Sequence, residues 1–281
     1  VDVVGRKDGR LTLRRGRRRR SHRLFVPSVA DQVCRSLDGA QAGEGECVDK
    51  AQNIFVTDDS VFGSNAIFEY AHGGSTPIAI LGDPDGAPVN CSIDPTTGNL
   101  AVVGYPYEGH SDGVAIYKKA RGRPTFYADS GFGDYECGYD DKGNLFIDGY
   151  VYSGHLNFAE LPKGSSTFTN ITLNQSFDAA GGIQWDGKHL AVGDLYAAVI
   201  YQFDISGSSG TEVGSTPLNG SGTVWQFFID GDRVIAPSTF QDYSGFVNIY
   251  DYPAGGAAKR TRINASSPNG VVVSLAQKSR R

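Results

Sequence analysis

Five aspartates, Asp49, Asp94, Asp140, Asp186 and Asp230, recur 45, 46, 46 and 44 residues apart. Each sits between two short apolar segments: ECVDKAQNIFVTD (46–58), CSIDPTTGNLAVVG (91–104), CGYDDKGNLFIDG (137–149), IQWDGKHLAVGD (183–194) and, in weaker form, FFIDGDRVIAPS (227–238). A fixed period of this size marks a stacked or radial repeat, and each repeat must bury its apolar face against its neighbours. The aspartate has a local task. Its carboxylate can accept hydrogen bonds from the amides of the turn that follows. Gly98, Gly143, Gly187 and Gly231 then supply the positive φ of a tight hairpin. These aspartates are read as structural.

Two further strands follow each hairpin. The first unit continues with AIFEYA (66–71) and STPIAIL (75–81), the second with GVAIYKK (113–119) and PTFYAD (124–129), and the third with HLNFAEL (155–161) and STFTNITL (166–173). The fourth has AVIYQFDI (198–205) and TEVGSTPL (211–218), and the fifth FVNIYDY (246–252) and AKRTRIN (258–264). Apolar and polar residues alternate as in half-buried strands, and no segment has helical periodicity. Four antiparallel strands in a unit of about 45 residues is the pattern of a β-propeller blade. Tyr70, Tyr117, Phe158, Tyr201 and Tyr250 recur in the third strand of successive units, as expected of packing between blades. Trp185 and Trp225, on inner strands, are expected in the core.

After the fifth unit comes one inner strand, NGVVVSLA (269–276), and its missing partners are found at the other terminus as RLFVPS (23–28) and QVCRSL (32–37). The expected fold is therefore all-β, a six-bladed β-propeller closed by N- and C-terminal strands, which leaves no sheet edge free. Its terminal blade is degenerate: Leu24 to Asp49 is 25 residues, against 41 from Asn99 to Asp140. Either the outer strand is lost or residues 1–22 supply it. The expected organisation is a basic, disordered arm over 1–22, one propeller domain over 23–276 and a tail over 277–281.

The formal net charge is −5, although nine arginines fall within the first 23 residues. The body is thus acidic. The run Arg17 to Arg20 has no aromatic neighbours for base stacking, so no nucleic-acid partner is expected. No stretch of about 18 apolar residues exists to span a bilayer. Met is absent, so Val1 is not an initiator, and the even count of four cysteines suits disulfides and export. An extracytoplasmic or secreted monomer is expected.

The pattern Asp-x-x-Gly-Asn-Leu-Phe/Ala after an inner strand, as in Asp140 to Phe146 and, with one more turn residue, Asp94 to Ala101, resembles NHL-repeat propellers and the wider six-bladed superfamily that includes gluconolactonase-type enzymes. The resemblance spans about residues 45–276. NHL-like relatives imply a binding platform. Gluconolactonase-type relatives imply a divalent metal at the channel mouth, held by Glu, Asn and Asp. The Asn-Gly…Ser-Pro-Asp-Gly stretch of those enzymes is absent here.

The strand order places one set of loops and inner-strand starts on a single face. There Glu46, Asn90, Glu136, Gln226 and Asn269 form a polar collar around the axis, with Asp58, Asp59, Asp148 and Asp194 ending the adjacent strands. Glu46, Glu136, Asp148 and Asp194 are the candidate metal ligands, since carboxylates with amide oxygens suit Ca²⁺ or another hard divalent cation. The alternative is a water-filled channel mouth. The loop YPYEGHSDG (105–113) belongs to the same face. Its Tyr105 and Tyr107, with Asn90 and Gln226, are the candidate ligand-binding residues. His110 and Asp112 are the candidate catalytic pair, a histidine whose proton a neighbouring carboxylate would position; the alternative is a solvated loop. No P-loop or His-Glu-x-x-His is present. Cys47 precedes its aspartate by two residues and Cys91 by three, so the two point to opposite sheet faces and can meet between blades. A Cys47–Cys91 disulfide is expected, with buried free thiols as the alternative. Two functions follow: a binding module for a small molecule, carbohydrate or protein, or a metal-dependent lactonase or esterase.

Overall fold

In the computed structural model the described residues are 43–59, 65–84, 86–106, 112–129, 133–150 and 156–275. They form five sheets around a common axis. The first contains β1 (Gly43–Val48), β2 (Ile54–Asp58), β3 (Ala66–Tyr70) and β4 (Pro77–Gly82) in that order. The second contains β5 (Gly86–Ile93), β6 (Leu100–Pro106), β7 (Gly113–Tyr117) and β8 (Thr125–Ala128). The third contains β9 (Asp134–Tyr139), β10 (Leu145–Tyr150), β11 (Leu156–Leu161) and β12 (Thr169–Asn170). In the fourth, β14 (Ala180–Trp185), β15 (Leu190–Asp194), β16 (Val199–Ser206) and β17 (Ser209–Asn219) run outward, and β13 (Thr172–Leu173) adds to β17 in parallel. The fifth contains β18 (Phe228–Asp230), β19 (Arg233–Thr239), β20 (Ser244–Asp251) and β22 (Arg260–Ser266), while β21 (Gly256–Ala257) pairs with β17.

The aspartates close the hairpins as their position in the repeat requires. Asp140 accepts from the amides of Lys142 at 2.9 Å and Asn144 at 2.8 Å, and from the Asn144 side chain at 2.8 Å. Asp186 accepts from the amides of Lys188 and His189 at 2.7 and 2.6 Å, and Asp94 from the amide of Thr96 at 2.7 Å. Gly143 and Gly187 hold φ of 89° and 99°, a region that side chains disfavour. The fifth hairpin is shorter, and there Asp230 pairs with the Arg233 guanidinium opposite it.

The core lies between sheets. Tyr70, Tyr117 and Tyr250 are fully buried at equivalent third-strand positions, as the recurrence of aromatics implies. Phe55 and Ile67 of the first sheet share a cluster with Leu100, Val102 and Tyr117 of the second. Cys47 and Cys91 bridge the same two sheets as a disulfide with Cα atoms 5.7 Å apart, and Cys137 is buried. The opposite orientation of the two cysteines is thus realised.

The C-terminal segment sits between the fifth and first sheets. Val272 packs with Ile54, Val56 and Phe68 of the first, whereas Val271 and Val273 pack with Ile235, Val247 and Ile249 of the fifth. This alternation is that of a strand buried on both faces. At about 1.5–3 kcal/mol per buried valine, the segment is an integral wall of the ring. Its expected partner, Leu24 to Pro27, lies outside the described residues, as do the N-terminal arm, the 277–281 tail, His110 and Tyr107.

Three details differ from the sequence reading. The segment 166–173 is not one outer strand. It splits at buried Ile171, so that β12 stays with the third sheet and β13 crosses to the fourth. Residues 269–275, read as a strand, form no ladder with any described residue. Trp185 and Trp225 are only half buried, Trp185 packing against the core cluster of Phe146, Phe158 and Phe203. No helix among the described residues is long and apolar enough to cross a membrane.

Candidate functional site: an acidic layer in the axial channel

The inner strands β1, β5, β9 and β14, with the extended segments before β18 and at 269–273, surround the axis. Where they begin, four carboxylates gather. Glu136 and Asp148 lie directly opposite each other on β9 and β10. Glu44 and Glu46, two residues apart on β1, act on Glu136 through their charges. Glu46 and Glu136 are each 3% exposed and Asp148 is fully enclosed.

Neutral amides hold this layer together. Asn90 donates to Glu136 Oε2 at 2.5 Å, and Asn269 donates to Glu44 Oε2 at 2.7 Å. Gln226 is committed to backbone. Its Oε1 accepts from the amides of Glu46 and Val271 at 3.2 and 2.9 Å, and its Nε2 donates to the Glu46 carbonyl at 2.7 Å. That single side chain ties the fifth sheet to the first and to the C-terminal segment. Gly270 leaves space for Glu46, since a Cβ there would collide with its carboxylate.

The carboxylates themselves are poorly satisfied. Glu46 Oε2 and both oxygens of Asp148 are buried with no hydrogen-bond partner. The amides of Glu136 and Gly181 lie close enough to favour the charged form of Asp148, but neither makes a well-aligned bond. Burial dominates the electrostatics. It pushes Glu44 up to about 7, helped by the nearby charges of Asp59 and Asp58 and opposed by the Asn269 bond. It raises Glu46 well above the usual range, with Glu44 adding to the effect. It raises Glu136 likewise, followed by repulsion from Asp148, Glu46 and Glu44. An isolated buried carboxylate escapes its desolvation cost by taking a proton or a cation.

Above the layer lies a row of aromatic rings. Tyr105, 42% exposed, meets Tyr135 edge-on at 5.4 Å, and Tyr135 stacks on Trp225 at 6.3 Å. Burial, the Tyr135 hydroxyl and the charges of Glu44 and Asp59 all raise the Tyr105 pKa, so this row borders the acids. Below the layer, a cavity of about 320 Å³ runs from Glu46, Glu136 and Gln226 to the hairpin turns at Pro95, Asp140 and Asp141.

The structure thus brings together Glu46, Glu136, Asp148 and Asn90, with Gln226 beside them. Asp194 stands apart: its carboxylate accepts from the amides of Asp178, Tyr196 and Ala197 and organises the turn after β15. Burial raises the Asp112 pKa, and the charge of Asp129 adds to the effect. The expected partner of Asp112, His110, is outside the described residues. Glu44, Tyr135 and Trp225 were missed as site residues. The Glu-x-Glu spacing of Glu44 and Glu46, which puts both on one strand face, was the available signal. Tested against a divalent metal, the orphaned oxygens of Glu46 and Asp148 are suited to a cation. Even so, no three acidic, imidazole or thiol groups among the described residues form a coordination set.

Solved structures share this arrangement of sheets. A chain from a nidogen/laminin complex superposes with a TM-score of 0.61 over 78% of this chain and 79% of its own, at 13% identity. A protein assigned as TolB, from Agrobacterium tumefaciens, does so with a TM-score of 0.61 over 82% of this chain and 85% of its own, at 14% identity. This chain is a β-propeller. At such identities the likeness carries the fold alone. No family model matches the propeller, and no curated protein matches it.

Proposed function

We propose that the propeller is an exported, monomeric, six-bladed binding module of NHL-like kind, receiving a small molecule, carbohydrate or protein on the face where the inner strands begin. The observation that carries this reading is the Tyr105–Tyr135–Trp225 row lying against the acidic layer. Rigid aromatic rings beside a few polar anchors are the usual makings of a recognition surface. In the sixth blade, Val271 to Leu275 would be the inner strand and residues 23–28 its partner.

The chain's two tryptophans separate the two ends of the channel, Trp225 above the acids and Trp185 in the cavity below. In a Trp185→Phe protein, Trp225 emission reports on the upper face alone. Titration with a panel of oligosaccharides and short peptides should give a saturable change that Tyr105→Ala abolishes. A flat response across the panel would remove the reading.

A second reading, a lactonase- or esterase-type hydrolase using a divalent cation such as Ca²⁺, draws on the orphaned oxygens of Glu46 and Asp148. The described carboxylates do not form a coordination set as placed, so no catalytic step is assigned. Turnover of a lactone or ester that stops with chelator and returns with added metal would establish it. A folded protein with neither metal nor turnover would end it.

A further inference from the structure

We propose that the lower half of the axial channel is a second binding site, for an aryl-alkyl ammonium ion that stacks on the cavity wall and places its charge on Glu46 and Glu136. The proposal is independent of the reading of the upper face.

The cavity has a polar end and an aromatic wall. Its inner end is formed by Glu46 and Glu136, each nine-tenths or more buried, and Glu46 Oε2 has no partner. None of the ion pairs among the described residues reaches either side chain. The wall is built from Tyr139, Trp185, Phe227 and Phe228, contributed by three different inner segments. Among the described residues no lysine or arginine lines the cavity, and Asp141, exposed at the hairpin end, adds negative charge at the opening.

The dimensions select the ligand class. At about 30 Å³ per water-sized group, 320 Å³ holds roughly ten non-hydrogen atoms. A bare divalent ion would leave most of that space and the whole aromatic wall unused, and it would lack a third acidic ligand among the described residues. A neutral aromatic would fill the wall and leave the carboxylates unpaired. An ammonium on a short aryl chain answers both, because aromatic faces attract cations and a buried carboxylate is stabilised by an ion pair. Trp185 packs against the core cluster of Phe146, Phe158 and Phe203 and also lines this cavity, so it can report on a ligand there.

The test uses the full chain carrying Trp225→Phe, so that Trp185 is the sole tryptophan. The probes are 2-phenylethylamine and its neutral isostere 2-phenylethanol at about pH 8, where an alkylammonium remains charged. The amine should change Trp185 emission saturably and bind at least about tenfold tighter than the alcohol. Glu136→Gln should lose about that factor for the amine and little for the alcohol. Comparing the two probes by calorimetry in the Trp225→Phe protein needs no carboxylate variant and stands even if Glu136→Gln fails to fold. Equal binding of amine and alcohol would overturn the proposal, as would silence toward both in a protein shown folded by circular dichroism. Competitive displacement of the amine by CaCl₂ at comparable concentration would also overturn it, in favour of a metal. None of these outcomes touches Trp225 and the upper face, which the Trp185→Phe protein reports separately.

Discussion

Glu136 and Asp140 are four residues apart on one segment, yet the fold treats their carboxylates in opposite ways. Asp140, at the hairpin, receives two backbone amides and a side-chain amide. Glu136, further along the same strand toward its start, receives Asn90 and faces the like charges of Asp148, Glu46 and Glu44. The contrast repeats around the ring. Turn hydrogen bonds hold Asp94 below the usual carboxylate range against the opposing effect of burial, while burial lifts the four axial acids. A carboxylate that the backbone satisfies is a building element. One that the fold buries without satisfying lowers stability, and such groups concentrate at functional sites.

The contrast can be broken or sharpened by experiment. The largest effect should come from the disulfide that clamps the first two sheets below Glu46. Reducing Cys47–Cys91, which closes a 44-residue span, should cost about 3–4 kcal/mol in denaturant unfolding. Next comes Asp140→Ala, which strips the third hairpin of its acceptor and should cost about 2 kcal/mol. Asp148→Asn should have the opposite sign. Removing the charge from a fully enclosed, orphaned carboxylate should raise stability by about 1 kcal/mol. If Asp148→Asn were as damaging as Asp140→Ala, the distinction between the two sets would fail.

The same contrast explains what was legible in the sequence. Asp49, Asp94, Asp140 and Asp186 announced their turns because an Asx-type turn is local chemistry, complete within a few residues. The facing of Cys47 and Cys91 followed from strand alternation in a known frame, and the pair forms. The frame also marked Glu46, Glu136 and Asp148 as axial. It did not reveal Glu44, which lies ahead of the first aligned segment, nor that Gln226 is spent on three backbone groups from two other segments. Asp194 ends β15 and the turn that follows offers it amides, whereas Asp148 lies inside β10 opposite Glu136, its carboxylate without an aligned donor among the described residues. The β12–β13 split was hidden for a similar reason. Its cause is tertiary, the burial of Ile171 between two sheets.

The account rests on axial acids that are held in an environment hostile to their charge, and the stability of the folded chain against pH tests that most directly. The folded state keeps the Glu44 proton up to about 7, whereas the unfolded chain releases it near the ordinary glutamate value of 4.5. Folded protein therefore binds more protons across this window, and unfolding free energy should fall as pH rises through it. Glu46, Glu136 and Asp148, raised further, extend the fall to higher pH. Urea unfolding should show a loss of roughly 1–3 kcal/mol between about pH 5 and pH 8, reduced in Glu44→Gln. A stability that instead climbs or stays level over that range would mean that these carboxylates are satisfied after all, and the acidic layer would have no claim as a site.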